Sequence, residues 1–483
     1  MERLPSELLC YILSKLDGHS LACAAKVCQR WHGIVNILGK AFNVWFKHCL
    51  LELGLDDVVY QTGLTHLLTT TGRTAAEARR EDWEFWQELY AANKRCNCIG
   101  SEKWGPVAER VKKCDEVVTA LVLNPPTSTS YGTLWMALKD GNFHGGTLDR
   151  RSWFSHFQSR RVCPGHINGC TDMTVVTLDG CPGYGTSSTE PVSFVVSTGI
   201  QGVVKVTDFQ GHQKAVIEPR SHQAYCVSSV GPYFVVGHDA CITQGLVIYK
   251  IVRAAKMAGG SSNSVSVLPL MKLSGLRNSA VMSVMLSHKQ VVAGDDHGIL
   301  YSWDIPSLSS FEGMSPKSGQ IVEIDKPSAA VQLKTMVEQV LLHRNQVIAL
   351  SAMGHGIIFV LNNDDWSTMS VICEEKINAL AGIGGYIKCF AASGSVLAVG
   401  RRTGVILLFR ISSKNWPSNL KQNFIGCLST NMMDLTTLTF SDDGREKVLV
   451  AAGSAVFAFQ WRRKEEQMLT KKTSAVKTVR GRP

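Results

Sequence analysis

Arg401 and Arg402 stand side by side in the stretch VGRRTG. Two adjacent guanidinium groups could grip a phosphate or carboxylate bidentately. The same pair also reads as a solvated hairpin turn. A second group, Cys163, His166, Cys170 and Cys181, has the spacing C-x2-H-x3-C-x10-C. It could ligate zinc, but the order is unusual, and buried thiols account for these cysteines more simply. Cys96-x-Cys98 is a weaker pair still. GCPGYGTSS (residues 180–188) is glycine-rich like a phosphate cradle, yet lacks a lysine, so it reads as a loop between strands. GxxxxGK[ST], HExxH and GxSxG are all absent. Scattered His and Asp residues give no legible triad, since a triad is defined by geometry. No catalytic residue, no metal and no cofactor is therefore expected.

Binding is the remaining class, and the elements that would position it change character along the chain. At 483 residues the protein exceeds one ordinary compact domain. Hydrophobic and charged contents of 45% and 19% are those of a folded globular chain. No uninterrupted apolar run reaches about 18 residues, so no membrane span is expected. The 15 cysteines fall within apolar stretches, as reduced thiols of the cytoplasm or nucleus do. The net charge of +10 is uneven: residues 462–483 hold eight basic residues against Glu465 and Glu466 and account for +6. That basicity marks a flexible tail, not a nucleic-acid-binding body.

Near the N-terminus, "LPSELLCYILSKLDGHSLACAAKVCQRW" (residues 4–31) is too often interrupted by charge to be a secretion signal. Leu8, Leu9, Ile12, Leu13 and Leu16 recur with a helical period, and Pro5 suits a first turn. Asp17-Gly18 ends that helix, and Asp17 or Ser20 can cap the next, which carries Leu21, Ala24, Cys28 and Trp31. About 30 residues of short helices carry more apolar surface than they can bury alone. Residues 41–93 also read as helical, with Trp83, Trp86, Leu89 and Tyr90 at helical spacing.

From about residue 117 the hydrophobic period becomes 2, in runs such as VVTALVLN, YFVVGHD and LVIYKI. Units repeat one grammar: an apolar strand, a short glycine-containing turn, then a second apolar strand. Seven segments follow, near 117–150, 166–209, 222–252, 279–305, 335–362, 376–411 and 432–461. Each predicts three or four strands, and small sheets closed in a ring lose their exposed edges. Gly259–Val267 and Ser307–Ser328 read as loop insertions. The last segment lacks an outer strand, which residues 94–107 could supply by clasping the ring shut.

Residues 4–31 resemble an F-box, matching at Leu4-Pro5-Ser6-Glu7-Leu8-Leu9, Ile12-Leu13-Ser14-Lys15-Leu16-Asp17, Ser20-Leu21, Ala24-Ala25, Val27-Cys28 and Arg30-Trp31. The later segments resemble WD-repeat propellers more loosely. Trp303-Asp304 in LYSWDI and the preceding GDDHG fit one repeat, Gly165-His166 opens another, and Ser221-His222 is a degenerate opening. The expected architecture is thus α+β and multidomain: F-box 1–45, helical linker 46–93, a seven-bladed all-β WD-type propeller 94–461 and tail 462–483.

This pairing resembles the F-box/WD-repeat substrate receptors of Skp–cullin–F-box ubiquitin ligases. The resemblance implies a non-catalytic subunit. Its F-box would dock a Skp-type adaptor, and through it cullin–RING, while its propeller binds an unknown protein substrate. The positions matching the F-box pattern are Leu4, Pro5, Leu8, Ile12, Leu13, Leu16, Leu21, Val27, Cys28 and Trp31, and the resemblance implies that most of them are adaptor contacts or box core. Propellers of this kind bind partners on one loop face. On that reading the face carries Arg401, Arg402, His238, Asp295, Asp296, His297 and His355. A scaffold using the same adaptor contact without degradation is the alternative.

Overall fold

The computed structural model describes residues 4–53, 83–84, 86–87, 90–91 and 99. Between 104 and 463 it describes all but 115, 124–132, 148–158, 164, 179–191, 219–222, 240–244, 254–264, 278, 312–320, 334, 344–345, 352–356, 363–364, 373–376, 378–385, 412–415, 433 and 443–446. The chain divides into two compact units, one built around residues 1–105 and the other around 106–441 and 448–462.

The first unit is helical: α1 (Ser6–Leu13), α2 (Gly18–Ala24), α3 (Gln29–Phe42) and α4 (Val44–His48), then a π turn at Cys49–Leu53. Pro5 precedes α1 in extended backbone, so its missing N–H costs no helical bond. Asp17 caps α2 by accepting the Ser20 N–H at 2.8 Å. That N–H and the Ser20 hydroxyl hold the Asp17 carboxyl below the usual carboxylate range. α3 stops where Asn43 turns left-handed at φ 46°. The described residues between 83 and 91 are helical, and Trp86 and Tyr90 complete a core with Leu9, Leu13, Leu21, Val35, Leu38 and Trp45. Val44, Trp45, Cys49, Trp86 and Tyr90 are buried in this core, and Phe46 and Leu50 pack against it.

The second unit holds seven sheets, the expected seven-bladed propeller. The inner strands are Val118–Leu123, Cys170–Leu178, Ala224–Val230, Val281–Leu286, Val337–His343, Ile387–Ser393 and Thr437–Asp442. In the first five blades each lies beside the inner strand of the next. Second strands are apolar runs covered on both faces; Tyr233–His238 and Val396–Arg401 are buried at every position.

Side chains tie neighbouring inner strands together at four seams. Asp172 Oδ2 accepts the Val227 N–H at 2.9 Å and Ser228 Oγ that of Leu286 at 3.0 Å. Ser283 Oγ accepts the Val340 N–H at 2.8 Å and Gln339 Oε1 that of Phe390 at 2.9 Å. Four consecutive seams are thus pinned by one device, which satisfies backbone donors that a free inner edge would leave unpaired. A β-bulge stands at the start of six inner strands, for example between Cys170 and Asp172 and between Val337 and Gln339, and shifts the register there.

Ring closure uses an N-terminal strand, Trp104–Lys113, on the outside of the seventh sheet beside Ala455–Arg463. It starts at 104, whereas the sequence suggested 94–107; positions 94–98 and 100–103 lie outside the described residues. The first and seventh blades share one core, in which Val118, Leu121 and Met136 meet Val450 and Val456. The insertion expected as loop at 307–328 contains regular structure among its described residues. A 3-10 turn (Leu308–Phe311) is held by Lys250, whose Nζ donates to the Phe311 carbonyl at 2.8 Å, and Val322–Ile324 pairs in parallel with Val265–Leu273 of blade three. That last strand also takes in residues 265–267 of the other predicted loop.

Candidate functional site

The apolar stripe of α1 has two sides. Leu9 and Leu13 are 1% exposed and face the helical core. Leu8 and Ile12, one position earlier in each turn, are 51% and 48% exposed. Tyr11 adds a third outward side chain at i+3 from Leu8, with Lys15 Nζ 5.1 Å above its ring. A surface helix normally gives its apolar residues to one face and polar residues to the other. Here α1 buries one apolar row and presents a second to solvent. Tyr11 is not among the positions that match the box; its spacing of three from Leu8 is the sequence signal that points to it.

The other positions matching the box sort by burial. Leu21 is fully buried and belongs to the core, like Leu13. Leu4, Leu16 and Trp31 are half-buried against that core. Pro5, Val27 and Cys28 are exposed, Val27 and Cys28 in the passage from α2 into α3. Arg30 ties the entry of α3 to that of α1: its Nη2 donates to the Leu4 carbonyl and lies 3.5 Å from Ser6 Oγ. The spatial set facing solvent is therefore Pro5, Leu8, Tyr11, Ile12, Val27 and Cys28.

The propeller residues singled out from sequence do not assemble into one site. Arg401 is wholly buried while Arg402 is exposed, and Arg402 Nε bonds Asp434 Oδ1 at 2.9 Å. The two guanidinium groups thus point to different environments, and the bidentate pair is corrected to one buried and one ion-paired arginine. Asp434 holds the Arg402 guanidinium above its ordinary pKa. His238 is buried, not presented on a face; it lines a small cavity with Asp239, Leu246, Leu276 and Ser279, and burial pushes its pKa down to about 4. Asp295 is likewise a buried structural hub, accepting from Ser279 Oγ at 2.6 Å, Tyr301 OH at 3.2 Å and the Ile299 N–H. His297 is exposed, its Nδ1 3.0 Å from Asp296 Oδ1. His355 lies outside the described residues.

His166, imagined as a zinc ligand, has its Nε2 3.0 Å from Ser197 Oγ and its ring edge-on to Phe143. Burial pushes its pKa down to about 4, helped by Lys205. Cys170 is buried and its Sγ bonds the Asp172 carbonyl at 3.4 Å. The Cys163 side chain, Cys181, Cys96 and Cys98 lie outside the described residues. Among the described residues no three His, Cys, Asp or Glu side chains converge as metal ligands, and no helix is long and apolar enough to cross a membrane. The described cysteines are free thiols, of which Cys49, Cys114, Cys170, Cys226 and Cys389 are buried.

No curated protein matches the chain by sequence. Among solved structures it is similar to the crystal structure of the computationally designed Ika8 protein, at 15% identity over 73% of this chain and 99% of that one, with a TM-score of 0.43. The family model described as F-box-like matches residues 1–40. The chain thus carries an F-box-like domain at its N-terminus, and a seven-bladed propeller follows it.

Proposed function

We propose that this chain is the substrate-recognition subunit of a Skp–cullin–F-box ubiquitin ligase, acting in the cytoplasm or nucleus. The observation that carries the reading is the outward apolar row of α1 within the segment that matches the F-box-like family. An exposed row at i, i+3 and i+4 is the surface a helix-in-groove interface needs. Leu8, Tyr11 and Ile12 are the anchors, and Pro5, Val27 and Cys28 extend the contact. Leu13 and Leu21 serve as core that holds them in place. The adaptor brings cullin–RING, so the chain itself performs no chemistry. The WD-type propeller supplies the rigid support for a protein client. Arg401 is buried and Arg402 is paired to Asp434, so these two do not together present a guanidinium pair to a phosphorylated client.

The test uses the full chain in cells, comparing wild type with the double variant Leu8→Ala, Ile12→Ala. Proteins bound to the variant are identified by affinity purification, and their half-lives are measured. At least one bound protein is expected to be longer-lived when the variant replaces the wild type, and to carry less ubiquitin. Unchanged half-lives for every bound protein, with the wild type still on its adaptor, would mean a scaffold.

A further inference from the structure

The family match stops at residue 40, but the helical core does not. Where later residues reach α2 and α3, the chain carries glycine. A Cβ on Gly18 would stand 2.4 Å from the Tyr90 ring, and one on Gly39 would stand 2.7 Å from Trp83. Neither close approach tolerates a side chain, so the box is shaped around a segment beyond it.

Glu52 sits at the junction. Its Oε1 accepts the Gly18 N–H at 2.9 Å and lies 3.3 Å from His48 Nδ1. Its Oε2 accepts the Tyr90 hydroxyl at 2.6 Å, a short bond to an ionised acceptor. Gly18 opens α2, and the first N–H groups of a helix have no intrahelical partner. Asp17 satisfies Ser20, and Glu52 satisfies Gly18. The Tyr90 phenol is held protonated, its pKa raised by burial and then by Glu52, so it remains a donor to the carboxylate. Three segments far apart in sequence therefore meet on one side chain, which stands on a π turn (Cys49–Leu53), a feature often found at functional positions.

We infer that Glu52 is a positioning residue for the docking face. By fixing the start of α2 against Tyr90, it sets where α2 delivers Val27 and Cys28 relative to Leu8 and Ile12 on α1. Glu52 acts through Gly18 and Tyr90 and needs no contact with the partner. The inference rests on the reading of that face as the adaptor's docking site.

The test titrates purified Skp-type adaptor into the full chain carrying Glu52→Ala, Glu52→Gln or Tyr90→Phe, with Leu8→Ala alongside. Glu52→Ala is expected to weaken binding at least tenfold. Tyr90→Phe should weaken it a few-fold. Glu52→Gln should fall between them, because its carboxamide oxygen can still accept the Gly18 N–H while its NH2 cannot accept the phenol proton. Amide exchange should quicken at Gly18 in Glu52→Ala and stay unchanged at the amides of α3, whereas a general loss of stability would quicken both. If Glu52→Ala fails to fold, the Gln and Phe variants carry the same comparison. Wild-type affinity in all three, with Leu8→Ala weakened, overturns the positioning role and leaves the docking face standing. Wild-type affinity in all four overturns both.

Discussion

The full chain carrying Leu8→Ala and Ile12→Ala is expected to lose roughly a thousandfold in affinity for a Skp-type adaptor, with little change in thermal midpoint. Central apolar anchors of an interface cost about 2 kcal/mol or more each when truncated, and about 4 kcal/mol corresponds to that factor. Stability is spared because both side chains are about half exposed in the free chain. The matched control is the inward pair. Leu9→Ala and Leu13→Ala each remove a side chain that is 1% exposed, at about 2–5 kcal/mol apiece. Together they rival the whole stability of a domain. Two doublets one residue apart should therefore separate cleanly: one abolishes binding in a folded protein, and the other unfolds the helical unit. Isothermal titration with adaptor and circular dichroism melts read the two outcomes. Equal effects of both doublets on stability would contradict the two-sided reading of α1.

Acidification from pH 7.5 to 4.5 is expected to destabilise the propeller, and Asp172→Asn should make the loss steeper. His166 and His238 are buried with pKa values pushed down from 6.5 to about 4. Each is neutral in the fold but protonates in the unfolded chain below pH 6.5. Their contribution is present above 6.5 and lost as pH falls toward 4, at about 3 kcal/mol each. Asp172 has the opposite sign. Burial pushes its pKa up from 3.8 to about 6, against the pull of the Val227 and Met173 N–H groups. Its contribution is complete below 3.8 and lost as pH rises through 6, so on acidification it returns about 3 kcal/mol. The net effect is a loss of about 3 kcal/mol, and the carboxamide, which does not titrate, removes the opposing part. A midpoint that stays flat or rises as the pH falls to 4.5 would contradict these assignments.

The period of the apolar residues is enough to place the N-terminal helices, the apolar strands and the sevenfold repeat. Second strands such as YFVVGH and VLAVGR are buried on both faces and announce themselves as apolar runs. Outer strands were harder to see. Gln213–Ile217, Ala329–Gln332 and Met369–Ile372 face solvent along one side and carry too few apolar residues to stand out from the turns beside them. The stripe on α1 was visible, but its division was not. Leu8 and Leu9 are both apolar, and only their packing shows which one faces the core.

The arginine pair failed for a related reason. Neighbours at the end of a strand project to opposite sides, so Arg401 went inward and Arg402 outward. Asp295 looked like a residue of a binding face because it precedes a tight turn. The three donors that enclose it come from Ser279, Ile299 and Tyr301, and that convergence exists only in the fold. Glu52 carried no sequence signal: its partners Gly18 and Tyr90 stand 34 and 38 residues away.

The most direct test of the ligase reading mixes the purified full chain with a Skp-type adaptor bound to cullin–RING and follows the mixture by size-exclusion chromatography with light scattering. The account predicts a single peak with one chain per adaptor and cullin–RING retained, abolished by Leu8→Ala with Ile12→Ala. Elution of the wild-type chain apart from the adaptor would contradict it.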